Sequence, residues 1–137
     1  MSSNPEAVVL DTGVLLDALD GNNEVVYDKI VQNSVDAYIS RISLTELSYV
    51  VCRKIGGESG RRVVNELLSS NLVKIVLHEE VHNLAAEFKC RYSISIGACY
   101  SLGLAKLMDL PVYFRPEKEI MTILEKLREE CNVMITG

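Results

Sequence analysis

The 137-residue sequence lacks the features that mark several common protein classes. Its longest apolar runs are only a few residues, far short of the roughly 20 residues that a membrane-spanning helix requires. No basic region followed by an apolar stretch stands at the N-terminus, so a secretory signal is not expected and the expected location is the cytoplasm. The content of 48% hydrophobic and 24% charged residues is instead typical of a compact, soluble protein of one domain.

Cysteine pairs and an excess of positive charge are also missing. The four cysteines stand singly rather than as C-x-x-C pairs, which excludes a zinc ribbon or redox motif and predicts reduced, mostly buried thiols. The net charge of -5 argues against broad electrostatic binding of nucleic acid. It does not exclude a nuclease, because a site built of carboxylates stays acidic until metal ions reverse its sign. Five cations form either a basic rim or an ordinary solvated surface: Arg41, Arg53, Lys54, Arg61 and Arg62.

Short apolar strand patterns alternate with helical patterns along the whole chain. This alternation predicts one α/β domain over residues 1–137, a three-layer α/β/α sandwich with a central parallel sheet of about five strands. The predicted strands are Ala7–Leu10, Ala37–Ser40, Val73–Val76, Val112–Phe114 and Val133–Thr136. The predicted helices cover 14–19, a segment around 25–31 capped by Asn22 or Asn23, 43–55 with a stop at Gly56-Gly57, 59–69, 78–88, 95–108 and 117–130.

Asp11 directly follows the first predicted strand and precedes a helix. A carboxylate at the C-terminal tip of a strand in such a sheet lies in the crevice where these folds bind ligands. Asp11 is therefore the natural first ligand for a divalent metal ion.

Glu46 is the second acid, and two interpretations of it are compatible. It stands three residues after Ser43 in the pattern of a capping box, where its carboxylate would accept the Ser43 backbone N–H. The first turn after a parallel strand is also at the carboxyl edge of the sheet, beside Asp11.

With these motifs the sequence resembles the PIN-domain family, particularly the VapC toxins of toxin–antitoxin pairs. The resemblance is carried by residues 8–16 (VVLDTGVLL), 43–47 (SLTEL) and 85–96 (AAEFKCRYSISI). It implies a Mg²⁺- or Mn²⁺-dependent ribonuclease that hydrolyses RNA phosphodiesters, in which hard cations are held by carboxylate oxygens. By this resemblance Asp11 and Glu46 are the metal ligands, and Thr12 adds a polar contact.

The third and fourth acids of the family depart from its pattern. Ala98 occupies the place of the third aspartate, and Asp109 lies about 16 Å further along the same predicted helix, too far to share a metal ion. After the fourth strand the chain offers Glu117 or Glu119 as an auxiliary catalytic acid, although both also fit as favourable charges in the first turn of a helix. Ser95 either orients substrate or simply caps the helix that follows it.

The resemblance also implies partners: a homodimer and a small antitoxin that occludes the acidic groove. Apolar helix positions such as Val50, Val51, Val63 and Leu67 fit such interfaces and a monomer core equally well. Because of Ala98, a second hypothesis stays open, a catalytically degenerate PIN domain that binds RNA or protein.

Two further motifs favour other enzymes only weakly. His78 to His82 match the zinc-protease pattern H-E-x-x-H, but the chain has two histidines and the wrong scaffold for such an enzyme. Asp11-Thr12-Gly13 matches the triplet of aspartic proteases, which are all-β proteins, whereas this chain is largely helical.

Overall fold

The computed structural model describes residues 5–20, 28 and 35–137, and every structural statement below concerns these residues. The strands are β1 (Glu6–Leu10), β2 (Val35–Ser40), β3 (Val73–Val76), β4 (Val112–Phe114) and β5 (Val133–Ile135). The helices are α1 (Thr12–Leu19), α2 (Arg41–Ile55), α3 (Gly57–Ser69), α4 (Glu79–Arg91), α5 (Ile96–Met108), α6 (Lys118–Met121) and α7 (Leu124–Arg128).

The strands form one parallel sheet in the order β3-β2-β1-β4-β5, which confirms the predicted fold class. Each of the five predicted strands is present, with ends that differ by no more than two residues. Short runs of apolar residues predict them well because strands covered on both faces need no polar alternation.

Two separate cores cover the two faces of the sheet and give the three layers. Successive residues of β1 alternate between them, with Val9 in one core and Val8 and Leu10 in the other. Helices α4 to α7 pack on the Val9 side, and α1 to α3 pack on the opposite side. The order of the strands reverses direction at β1, so the crevice between the ends of β1 and β4 is where a ligand site is expected.

Helix α2 begins at Arg41 rather than at Ser43, and this overturns the capping-box interpretation of Glu46. The cap is Ser40, whose Oγ accepts the backbone N–H of Ser43 at 3.1 Å. Ser43 itself is buried inside the first turn. The Glu46 carboxylate is therefore not engaged at the helix start.

The predicted helix over 117–130 is two short helices, α6 and α7, separated by a turn. Within this turn the Thr122 hydroxyl donates to the carbonyl oxygen of Lys118 at 2.8 Å, a local bond that competes with the helical ladder and bends it. Ile123 then leaves helical geometry, with φ −119° and ψ 18°. Periodicity alone could not predict this break, because Ile120 and Leu127 both remain buried on the same side.

Several smaller predictions have mixed outcomes. All four cysteines are free, but only Cys99 and Cys131 are buried, so the expectation of mostly buried thiols is wrong for Cys52 and Cys90. Of the helix predicted around 25–31, only Asp28 is among the described residues, and it is helical. In the described part of the chain, no helix is long and apolar enough to cross a membrane.

Candidate functional site

Asp11 lies at the carboxyl end of β1 and is 7% exposed. Its backbone N–H donates to the carbonyl oxygen of Tyr113 at 3.0 Å, which ties this strand end to β4. Its side chain accepts a hydrogen bond of 2.7 Å from the buried hydroxyl of Ser101 on α5. Burial raises the pKa of Asp11 to about 6, and the carboxylates of Glu117 and Glu46 add to the rise, whereas the Ser101 bond opposes it.

Glu46 reaches the same edge from the second turn of α2. Its carboxyl group lies against Gly97 in the first turn of α5: a Cβ at Gly97 would collide with Oε1 and stand 2.9 Å from Cδ. Glycine at position 97 therefore leaves the space that the Glu46 carboxyl group occupies between the two helices. Burial raises the pKa of Glu46, followed by the carboxylate of Glu117.

Two buried polar atoms at this edge have no hydrogen-bond partner of ordinary geometry among the described residues: Thr12 Oγ1 and Glu46 Oε1. The Thr12 hydroxyl is still near enough to the Glu46 carboxyl to oppose part of the pKa rise of Glu46. Buried polar groups in folded proteins nearly always have partners, so such atoms commonly mark the place of a ligand, ion or water molecule.

Ala98 is 3% exposed and lies in the first turn of α5. Its neighbours on that helix, Gly97 and Ser101, contact the carboxyl groups of Glu46 and Asp11 respectively. The absent third acid would thus stand on the segment of α5 that meets the two remaining acids, although the Ala98 side chain itself belongs to the apolar core that contains Val9. Asp109 follows the far end of α5, as predicted, and cannot replace it.

Glu117 is held by an arginine that sequence reasoning left without a role. The Nε of Arg115 donates to Glu117 Oε1 at 2.7 Å, and its Nη1 donates to Asp17 on α1 at 3.2 Å. The guanidinium lies across Gly13, where an added Cβ would stand 2.6 Å from Nε. A half-exposed cation therefore bridges two acids at the rim of the site.

Glu119 and Ser95 form a structural contact. The Oε2 of Glu119 accepts the backbone N–H of Ser95 at 2.8 Å, and the Ser95 hydroxyl accepts the backbone N–H of Ala98 at 3.2 Å. The capping interpretation of Ser95 is confirmed. Both oxygens serve the start of α5, although Glu119 is near enough to Glu46 to contribute to its raised pKa.

The donor set at this edge fits a hard divalent cation. Asp11 and Glu46 offer carboxylate oxygens, and neither forms an ion pair with a cationic side chain among the described residues. Mg²⁺ keeps several water ligands, so two protein carboxylates can suffice. No group of three histidine, cysteine or acidic side chains in the described ranges is arranged to share an ion, so a third protein ligand is lacking.

The rival sequence motifs have structural explanations. His78 caps α4 by accepting the backbone N–H of Glu80 at its Nδ1, at 3.1 Å, and His82 is exposed. The five cations between 41 and 62 are exposed, and two of them pair with acids, Lys54 with Asp20 and Arg62 with Glu58. These residues therefore form a solvated surface.

Sequence reasoning missed Ser101 and Arg115. A serine one turn after Ala98, within an otherwise apolar helix, is the signal that could have placed Ser101 on the face toward Asp11. For Arg115 the only signal was its position, directly after the fourth strand, where the resembled family places a small or polar residue and then an acid.

The chain is similar to known proteins both in sequence profile and in fold. The sequence profile described as "PIN domain" matches residues 8–115, whereas no curated protein sequence matches the chain. DNA-bound VapBC from Salmonella typhimurium contains a chain with TM-score 0.75 at 16% identity, covering 95% of this chain and 98% of that one. VapBC2 from Rickettsia felis, bound to a promoter DNA fragment, gives TM-score 0.73 at 16% identity, with 96% and 99% covered. VapBC-1 from nontypeable Haemophilus influenzae gives 0.66 at 14% identity, with 96% and 97% covered.

At these identities the likeness to solved structures is one of fold. The profile match, by contrast, covers most of the chain, including the end of β1 with Asp11 after it, the α2 segment with Glu46 and the start of α5. The chain belongs to the PIN-domain family.

Proposed function

We propose that this protein is a toxin-type endoribonuclease that hydrolyses RNA phosphodiesters with the help of Mg²⁺ or Mn²⁺. The observation that carries the proposal is the buried Asp11 carboxyl group together with the half-buried Glu46, whose buried Oε1 has no partner among the described residues, at the carboxyl edge of the sheet. Membership of the PIN-domain family adds support.

Asp11 and Glu46 would hold the metal ion. When bound, such an ion supplies positive charge for the phosphoryl oxygens and lowers the pKa of water. The chain's own residues supply orientation: Ser101 fixes the Asp11 carboxyl by its hydrogen bond, and Gly97 leaves room for the Glu46 carboxyl. Thr12 offers a free hydroxyl beside Glu46 for a polar contact with substrate or solvent.

Glu117 and Glu119 are auxiliary acids in this proposal. Both raise the pKa of Glu46, so both lie within electrostatic reach of the site. Their present partners are Arg115 and the Ser95 backbone, respectively. Because Ala98 removes the third ligand, we expect weaker metal binding and slower cleavage than in a site with all its acids, since accurate positioning supplies much of the rate.

The expected partners follow from the solved structures of similar fold, which are toxin–antitoxin complexes. We infer an antitoxin protein that covers the acidic crevice, a homodimeric form, and action in the cytoplasm, where the RNA substrate is found. Of the apolar positions considered for an interface, Val51 and Leu67 are core residues, so the homodimer must use other side chains.

The test is Mn²⁺ titration by calorimetry together with cleavage of RNA, with and without a chelator. Asp11→Asn and Glu46→Gln should each abolish binding and cleavage. Asp109→Asn, the same kind of change at the far end of α5, is the matched control and should leave both unchanged. Binding that survives in Asp11→Asn, or cleavage that survives chelation, would contradict the proposal.

The second candidate function is a degenerate PIN domain that binds RNA or protein without catalysis. The observation in its favour is Ala98, buried where a third acid would be, with no three-ligand group among the described residues. A protein that binds RNA but neither binds Mn²⁺ nor cleaves would support it.

A further inference from the structure

Arg115 is the charged group at the site rim that the proposed reaction does not use. It extends from the end of β4 over Gly13, and its guanidinium contacts an acid on each side, Asp17 and Glu117. The side chain of Arg115 is 40% exposed, and those of Asp17 and Glu117 are 24% and 32% exposed. The three groups therefore form a bridge from α1 to the segment that precedes α6.

Glu117 belongs to this bridge and to the electrostatic field of the site. Its carboxylate adds to the raised pKa of both Asp11 and Glu46. Since Glu117 is the one further acid that acts on both groups among the described residues, it is the candidate replacement for the ligand that Ala98 lacks. Yet its Oε1 is engaged by Arg115 at 2.7 Å, a charge-assisted bond of the stronger kind.

We propose that Arg115 is an internal counter-cation that holds Glu117 in the Asp17–Arg115–Glu117 bridge and so withholds it from a metal ion bound by Asp11 and Glu46. This inference rests on the proposed metal site. A guanidinium and a divalent cation compete for the same carboxylate, and Arg115 is attached to the chain and always charged. The bridge therefore sets the metal affinity of the site, and a change that displaces Arg115 releases a third ligand.

The geometry at Gly13 gives the bridge a second requirement. A side chain larger than hydrogen at this position would press against the Nε and Cδ atoms of Arg115, at 2.6 and 3.0 Å from the new Cβ. The obstacle is a flexible side chain, so the helix can keep its fold while Arg115 moves. Gly13→Ala therefore displaces Arg115 without changing any charge.

The experiment measures Mn²⁺ affinity by calorimetry and by the electron paramagnetic resonance of the free ion, so that it does not depend on catalysis. Arg115→Met should bind Mn²⁺ about twofold to fivefold more tightly than the unchanged protein, which is the range for a partly exposed charge pair of good geometry. Gly13→Ala should tighten binding in the same direction. Arg115→Lys keeps the positive charge but cannot contact Asp17 and Glu117 with the two arms of a guanidinium. Its Mn²⁺ affinity should therefore lie between those of the unchanged protein and Arg115→Met.

Arg91→Met is the matched control. Arg91 also contacts an acid with two N–H groups, which donate to the carboxylate of Glu130 at 2.7 and 2.9 Å. The side chain of Arg91 is 44% exposed. Glu130 precedes β5, at the amino edge of the sheet and away from the site. This variant should leave the Mn²⁺ affinity unchanged. Circular dichroism and thermal unfolding of each variant confirm that it is folded.

The double variant Arg115→Met, Glu117→Gln identifies the path of the effect. If Arg115 acts by holding Glu117, its removal tightens binding only while Glu117 is a carboxylate. A gain that persists in the Glu117→Gln background would overturn the bridge and indicate a general charge effect. Equal affinity in Arg115→Met and the unchanged protein would overturn it as well.

Failure of this inference and failure of the proposed function give different results. Mn²⁺ binding that is lost in Asp11→Asn but is not tightened in Arg115→Met leaves the metal site and refutes the bridge. Absence of Mn²⁺ binding in every variant, including Arg115→Met, refutes both the proposed metal-dependent function and the role of the bridge. Binding that appears only in Arg115→Met supports the bridge and contradicts the proposed metal-dependent function of the unchanged chain.

Discussion

Placing an aspartate at position 98 should lower the free energy of unfolding without metal and increase the stabilisation that Mn²⁺ provides. The Cβ of Ala98 is buried in the first turn of α5, and the same segment of the helix contacts Glu46 at Gly97 and Asp11 at Ser101. Ala98→Asp therefore places a third carboxylate beside two that already lack compensation.

The size of the expected loss in unfolding free energy is derived from Asp11, whose raised pKa measures how unfavourable a charged carboxylate is at this edge. Its pKa of about 6, against an ordinary 3.8, corresponds to about 3 kcal/mol at neutral pH. An acid in the first turn of a helix regains about 0.3 to 1 kcal/mol. We expect Ala98→Asp to lose about 2 to 3 kcal/mol of unfolding free energy without metal. A ligand at 100 times its Kd restores about 2.7 kcal/mol.

The assay is urea unfolding at neutral pH, with and without Mn²⁺, for the unchanged protein and the variant. Ala105→Asp is the matched control, because Ala105 is also buried, on the same helix and about 10 Å further from the site along its axis. The control should lose stability, and Mn²⁺ should stabilise it no more than it stabilises the unchanged protein. Two results would refute this prediction. One is that Ala98→Asp is as stable as the unchanged protein without metal, and the other is that Mn²⁺ stabilises Ala98→Asp no more than it stabilises the unchanged protein.

Three further substitutions probe the two acids. Because the folded pKa of Asp11 is raised, its contribution to stability is fully present below pH 3.8 and is lost as the pH rises to about 6. Asp11→Asn should therefore gain up to about 3 kcal/mol relative to the unchanged protein between pH 4 and pH 8, measured by urea unfolding, and a constant difference would contradict this. Ser101→Ala should lose about 1.5 to 3 kcal/mol and raise the pKa of Asp11 further, which carboxyl-carbon NMR titration measures. Gly97→Ala should fold but bind Mn²⁺ more weakly, because its Cβ displaces the Glu46 carboxyl; unchanged affinity in calorimetry would show that Glu46 is not a ligand.

The amino-acid sequence determined the sheet and the first acid by local rules. Short apolar runs separated by helical patterns specify buried parallel strands, and Asp11 follows one of them directly, so its place at the carboxyl edge needs no knowledge of distant contacts. The resemblance to the PIN-domain family likewise depends on local motifs, and the profile match over residues 8–115 supports it.

The capping box that the local sequence pattern predicts for Glu46 is wrong. The serine that caps α2 is Ser40 rather than Ser43, because both stand near the helix start and only the path of β2 decides where the first turn begins. Glu46 is thereby left free, and its burial against Gly97 comes from the approach of α2 and α5, two helices separated by 40 residues of chain.

The state of the acids themselves was decided by the tertiary structure. Ser101 and Arg115 are ordinary polar residues in the sequence, and their roles arise from contacts with Asp11 and Asp17 across 90 and 98 residues. A carboxyl group's pKa depends on burial and on the charges around it, and both are properties of the folded arrangement rather than of neighbouring residues in the chain. The sequence thus determined which acids are present at the sheet edge, and the packing of α1, α2 and α5 against that edge decided which of them are uncompensated.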